Sequence, residues 1–162
     1  MNPHKPYKGL PTATAGVELI RRRPKGFYVK TASLSTKNID FDSMADAERH
    51  ARFYQRLVRE GLYHPKTQFV VARDDKGNPT VMMFTPKLTH LQGINPNETL
   101  TFLGRDKKRL DKALVTIGEE RAIEFSTPHN WGQDPADPNY YYTEFYIMPS
   151  KHGYKLPKDF KH

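Results

Sequence analysis

"TQFVVARDDKGNPTVMMFTPKL", residues 67–88, decides the fold class of this 162-residue chain. Two apolar runs, residues 69–72 and 81–84, flank the turn-rich stretch "DDKGNP". Short runs of Val, Phe and Met on either side of Asp, Gly, Asn and Pro predict two strands joined as a hairpin. Pro86 lacks an amide donor and stops the second strand. Strands that come in hairpins argue for an antiparallel sheet.

Toward the N-terminus, "DSMADAERHARFYQRLVREGL" predicts a helix. Asp42 or Ser43 caps it, an acidic residue follows in the first turn, and Gly61 ends it. Met44, Ala47, Ala51, Tyr54 and Val58 recur at helical spacing and form one apolar stripe. Glu48 lies on that stripe or at its edge, where an unpaired carboxylate is costly and wants a cation. Before the helix, "GVELIRRR" (residues 16–23) and "GFYVKTAS" (residues 26–33) predict two further strands. The turn signal "PKG" between them predicts a hairpin. In "FYVKTAS", Phe27 and Val29 fall on one face and Tyr28 and Lys30 on the other. Lys30 is the nearest cation for Glu48. The plainer alternative is an exposed lysine and an edge glutamate.

Toward the C-terminus, "TLTFLGRDKKRLDKALVTIGEERAIEF" is mostly helical, with Leu103, Leu110, Leu114 and Ile117 inward and Gly104 and Gly118 as breaks. The last unit, "FSTPHNWGQDPADPNYYYTEFYIMP", predicts a hairpin whose two-proline loop reverses the chain. Asn130 then stands on one arm and Glu144 on the other. Both are oxygen donors suited to a hard ion such as Mg²⁺, and they are expected to face one another in a small polar cavity shared with Lys30, where either the ion or Lys30 would satisfy Glu144. The plainer alternative is a turn asparagine and an edge-strand charge. The element order is β-β-helix-β-β-helix-β-β, an α+β domain with an antiparallel sheet, one long packing helix, a short helical segment and a C-terminal hairpin. No repeat or linker divides the chain. We therefore expect a single domain, 1–162, with an arm at 1–8 and a basic tail at 149–162.

Composition narrows the chemistry. Aromatic residues make up 12%, which argues against a disordered chain. There is no cysteine, so disulfides and thiolate metal sites are excluded. The seven histidines form no zinc-binding spacing. G-x-S-x-G and the P-loop pattern are both missing. No apolar run is long enough to span a bilayer, and the N-terminus lacks the apolar stretch of a signal peptide, so a cytoplasmic protein is expected. The formal net charge is +8. Basic residues gather at residues 21–25, at 104–112 and in the C-terminal tail. They suit a polyanion such as nucleic acid or nucleotide, or simply a solvated surface.

Taken in order, these residues resemble a cut-down protein-kinase-like or aminoglycoside-phosphotransferase-like fold over roughly residues 9–148. "GLPTATAGVELI" stands where a glycine-rich strand-loop-strand would lie, with Gly16 in it. "FYVKTAS" resembles the strand of the nucleotide lysine, which makes Lys30 that lysine. "ADAERHARFY" is similar to the following helix, with Glu48 as its pairing glutamate. "VMMFTPKL" resembles the strand into the hinge, where the backbone of Phe84 and Thr85 would meet adenine. "STPHNWG" resembles the end of a catalytic loop, with Asn130 as the metal-binding asparagine. "YYYTEFY" stands where Asp-Phe-Gly is expected, with Glu144 as the metal-binding acid. The resemblance thus implies ATP and Mg²⁺ as ligands.

The departures imply a degenerate site. Only Gly9 and Gly16 remain of the glycine-rich loop. Phe125 stands where the catalytic aspartate belongs, leaving the adjacent Glu124 as the one candidate base. Glu144 is a methylene longer than the usual aspartate, and Tyr146 replaces the glycine. Eighteen residues follow Glu144, too few for an activation segment and a substrate lobe. Phosphoryl transfer depends on several such parts acting together.

The expectation is a catalytically degenerate kinase-like domain that binds nucleotide and Mg²⁺ or serves as an interaction scaffold for a protein partner. An alternative is a basic nucleic-acid-associated accessory protein of phage or plasmid type. In it Arg21, Arg22, Arg23, Lys107, Lys108 and Arg109 would contact phosphates. A third expectation is an active minimal phosphotransferase with Glu124 as base.

Overall fold

A computed structural model describes residues 14–32, 41–91, 107–117 and 128–145. These residues form an α+β arrangement of two small sheets and one long helix. Strand β1 (Thr14–Ala15), helix α1 (Gly16–Arg21) and strand β2 (Phe27–Thr31) come first. Helix α2 (Met44–Arg59), strands β3 (Gln68–Arg73) and β4 (Pro79–Pro86) and the short β5 (Thr89–His90) follow. Helix α3 (Lys107–Ile117), a 3₁₀ turn (Pro128–Asn130), β6 (Trp131–Gln133) and β7 (Tyr140–Tyr142) complete the order.

The central hairpin is as the sequence predicts. β3 and β4 pair antiparallel, with Val71 opposite Val81 and Phe69 opposite Met83. Asp74 organises the turn: its Oδ1 accepts from the amides of Lys76 and Asn78. Gly77 takes φ +80°, a conformation that side chains with a Cβ rarely adopt. β2 adds antiparallel to the other side of β4, and β1 adds parallel to β3. The sheet order is β1-β3-β4-β2, which makes β2 an edge strand.

Helix α2 begins at Ser43, whose Oγ accepts from the Asp46 amide. It ends in a Schellman arrangement: the Leu62 amide donates to the Leu57 carbonyl and the Gly61 amide to that of Val58. Gly61 supplies the positive φ of +89°. Ala47, Ala51, Phe53, Tyr54, Leu57 and Val58 are buried along one side. They pack on Phe69, Val71, Val81 and Met83 in the main core, which also takes in Leu110 and Ala113 of α3 and Trp131, Tyr142 and Phe145 of the C-terminal unit. Fully burying such side chains contributes about 1.5–3 kcal/mol each, so this face holds the molecule together.

One expectation fails. "GVELIRRR" forms helix α1 rather than a strand paired with "GFYVKTAS". The reason lies in the far face of the sheet, where Val70, Ala72, Met82 and Phe84 need a cover. A short helix sets Leu19 down on them fully buried, while Ile20 and the arginines after it stay exposed. Because β2 already pairs with β4, the Pro24–Gly26 turn joins a helix to a strand: the Phe27 amide donates to the Pro24 carbonyl, and Gly26 takes φ +82°. Gly16 therefore opens α1, and residues 14–16 do not form a glycine-rich strand-loop-strand. No helix among the described residues is long and apolar enough to cross a membrane. The arm at 1–8, the tail at 149–162 and Glu124 lie outside the described residues.

Candidate functional site

The C-terminal hairpin carries two of the residues the sequence singles out. β6 and β7 pair antiparallel with Trp131 opposite Tyr142 and Gly132 opposite Tyr141. The pairing extends one step further, because the Asn130 carbonyl accepts from both the amide (2.8 Å) and the hydroxyl (2.9 Å) of Thr143. Asn130 and Glu144 are thus brought to the same end of the hairpin, one residue out of register. β5 lines the other edge, with His90 opposite Gly132. A Cβ on Gly132 would come within 2.7 Å of the Leu88 Cβ, so the residue is a glycine for want of room.

Strict alternation along "YYYTEFY" predicts Tyr142 and Glu144 on one face and Thr143 and Phe145 on the other. Alternation ends with β7 at Tyr142. The chain bends at Glu144, and Phe145 turns into the same core as Tyr142, stacking edge-on against Tyr54 at 5.5 Å. The Tyr63 hydroxyl donates to the Glu144 carbonyl at 2.8 Å and holds this bend.

Lys30 comes from the opposite side. It lies in the edge strand β2 across from Met83, a main-core residue, and so projects from the face that α2 covers. Its Nζ donates to Glu144 Oε1 at 2.5 Å, a contact spanning 114 positions of sequence. The contact is short and charge-assisted. The side chains are 31% and 37% exposed, so solvent screens the pair and it remains accessible. Among the described residues Lys30 makes no ion pair with Glu48, which is half-buried on α2. The lysine pairs with the acid of the hairpin, not with that of the helix.

Phe84 and Thr85 sit within β4. Phe84 lies between Val29 and Gln68, its ring in the far-face cluster, and Thr85 lies opposite Tyr28. Arg21, Arg22 and Arg23 are exposed at the end of α1. Lys107, Lys108 and Arg109 form the first turn of α3.

A second polar cluster escaped the sequence reading. His64 is buried and its Nδ1 accepts from the Lys66 amide at 3.1 Å. Nε2 must then carry the proton, which it donates to Asp134 Oδ2 at 3.1 Å. Tyr141 stacks edge-on against the imidazole, and its hydroxyl donates to Asp137. Burial lowers the His64 pKa, outweighing the two aspartates. The Ala136 amide, followed by weaker contributions from His64, lowers that of Asp134. Both imidazole nitrogens are engaged within the protein, so this pair is a tether and not a general base. No spacing rule links residues 70 positions apart, though His64 beside Pro65 and Asp134 beside Pro135 are both turn positions.

Among the described residues no group of three or more His, Cys, Asp or Glu is placed to hold a metal ion. Glu144 and Asn130 supply carboxylate and amide oxygens at one end of the hairpin. Two oxygen-bearing side chains are too few to cage an ion on their own. The chain matches no family model, no curated protein and no solved structure.

Proposed function

We propose that this chain is a nucleotide-binding domain of kinase-like plan, catalytically degenerate, which holds a Mg²⁺–nucleotide between the sheet and the C-terminal hairpin. The observation that carries this is the 2.5 Å contact between Lys30 and Glu144, beside Asn130. The resemblance drew these residues from separate motifs; Lys30 and Glu144 meet at one accessible place, and Asn130 stands at the same end of the hairpin. In the resting state Lys30 neutralises Glu144. On binding, the ammonium turns to the phosphates, and Glu144 with Asn130 faces the cation, which would neutralise phosphate charge. A residue in the role of catalytic base has no support beyond Glu124, and the domain is read as a binder.

The test is calorimetry with ATP in the presence and absence of Mg²⁺, on the parent and on Lys30→Met and Glu144→Gln. Binding by the parent that needs Mg²⁺ and is lost in both variants supports the reading. Absence of binding by the parent, or equal affinity in all three, sinks it. The exposed run Arg21, Arg22 and Arg23 favours one further reading, contact with nucleic-acid phosphates. Replacing all three with Ala would then weaken binding to every sequence alike and flatten its salt dependence.

A further inference from the structure

Three consecutive residues after α2 hold the hairpin from one side. The Leu62 carbonyl accepts from the Tyr142 amide at 2.9 Å, the Tyr63 hydroxyl donates to the Glu144 carbonyl at 2.8 Å, and His64 binds Asp134 at 3.1 Å. Each contact falls on a different part of the hairpin: strand β7, the bend beyond it and the loop before it. Only the Tyr63 contact touches the residue whose carboxylate meets Lys30. Tyr63 is fully buried, its ring 5.0 Å from that of Phe69 and 6.1 Å from that of Tyr142. A ring wedged on both sides has little freedom, so its hydroxyl is a fixed donor.

We propose that Tyr63 is a positioning residue for Glu144: its hydroxyl pins the Glu144 carbonyl at the bend and so aims the carboxylate at Lys30. The value of this aim for ligand binding rests on the reading of Lys30 and Glu144 as a nucleotide–cation site. Beyond Tyr142 the Thr143 bonds to Asn130 carry the pairing one step further, and at the bend that follows the Tyr63 hydroxyl holds the Glu144 carbonyl. A shift of the backbone at the bend moves the Glu144 Cα and carries the side chain with it. The Schellman end of α2 fixes where Tyr63 stands, so the C-terminal end of that helix determines the geometry of a residue 81 positions later.

The experiment is NMR of the lysine ammonium groups at low temperature and mildly acidic pH, where an ion-paired ammonium exchanges slowly enough to give a signal. It compares the parent with Glu144→Gln, Tyr63→Phe and Thr143→Val. Tyr63→Phe removes one oxygen and keeps the ring. Thr143→Val removes a hydrogen bond internal to the hairpin and serves as a control for general loosening. The expected result is a Lys30 signal in the parent and in Thr143→Val, lost in Glu144→Gln and in Tyr63→Phe. A Lys30 signal that persists in Tyr63→Phe overturns the proposal, and so does equal loss in Tyr63→Phe and Thr143→Val. If Tyr63→Phe does not fold, the parent supplies the readout: a Tyr63 hydroxyl proton protected from exchange is expected, and its absence overturns the proposal. A parent that gives the expected spectra but binds no Mg²⁺–ATP sinks the nucleotide reading alone, and Tyr63 still positions Glu144 against Lys30.

Discussion

Replacing Gly132 with Ala tests whether the C-terminal hairpin is seated as tightly as its geometry requires. The added Cβ would lie 2.7 Å from the Leu88 Cβ and 3.2 Å from Thr143 Cγ2. Carbon atoms pack best at roughly 3.5–4.0 Å, so the nearer contact is short by about 1 Å. The Leu88 Cβ is joined to the backbone and cannot swing aside, unlike the tip of a long side chain. Relief requires that β5 and β6 separate, although Leu88 is buried and β6 carries the fully buried Trp131. Overpacking of this kind costs about 1–3 kcal/mol. The lower freedom of Ala in the unfolded chain returns about 0.4–1 kcal/mol. Because the clashing atom is fixed to the backbone, the upper part of that cost, about 2–3 kcal/mol, applies, and the net loss of about 1–2.6 kcal/mol lowers Tm of a chain of this size by roughly 2–10 °C. Differential scanning calorimetry reads this directly. The double variant with Leu88→Ala is the sharper measurement, because Ala at 88 keeps the offending Cβ and, of the three nearest atoms, removes only Cδ1, at 3.4 Å. Residues in contact seldom add in full, but the Cβ–Cβ contact persists, so the double variant should stay less stable than Leu88→Ala alone. An unchanged Tm for Gly132→Ala, or recovery in the double variant, refutes the argument.

Lys30→Met and Glu144→Gln should each cost at most about 1 kcal/mol of stability, since the pair is partly solvated. The exchanged pair Lys30→Glu with Glu144→Lys should recover stability in chemical denaturation, while Mg²⁺–ATP binding stays lost. Stability should fall with acid in a window set by His64. Its pKa is lowered in the folded state, so the contribution of the neutral ring is complete above its ordinary value of 6.5 and disappears as pH falls through the folded value. Tm scans between pH 7.5 and 5, on the order of the range where histidine titrates, should show this decline, and His64→Gln should flatten it. Asp134, also lowered, adds its own loss only below its ordinary value of 3.8. Leu110→Ala should cost about 2–5 kcal/mol if α3 truly closes the core, and a loss well under 1 kcal/mol in urea denaturation contradicts that packing.

The sequence is most legible where one local rule acts without rivals. Residues 67–88 read as a hairpin because apolar runs, a turn rich in Asp, Gly and Asn and a stopping proline agree, and the structure pairs the two strands around that turn. Helix α2 reads equally well, from its Ser43 cap to Gly61. "GVELIRRR" misleads because its pattern suits either a strand or a short helix, and the choice falls to the far face of the sheet, which Leu19 must cover. Tertiary demand overrides a weak local preference there.

The candidate site divides along the same line. Glu48 and Lys30 looked like partners because each needed an opposite charge and they were near in sequence. Yet charge pairing is decided by which backbone brings the groups together. The hairpin delivers Glu144 to Lys30 at 2.5 Å from 114 positions away, while Glu48 stays half-buried on its helix. What directs the delivery is a tyrosine hydroxyl on a backbone carbonyl, a contact without any sequence signature, since a lone Tyr in "GLYHPK" carries no periodicity and its partner is an atom that every residue has. The identity of the charged groups was readable one residue at a time. The chain-reversing loop also made a meeting of Glu144 with Lys30 readable, but not the bend that achieves it, which comes just where the alternation of β7 ends.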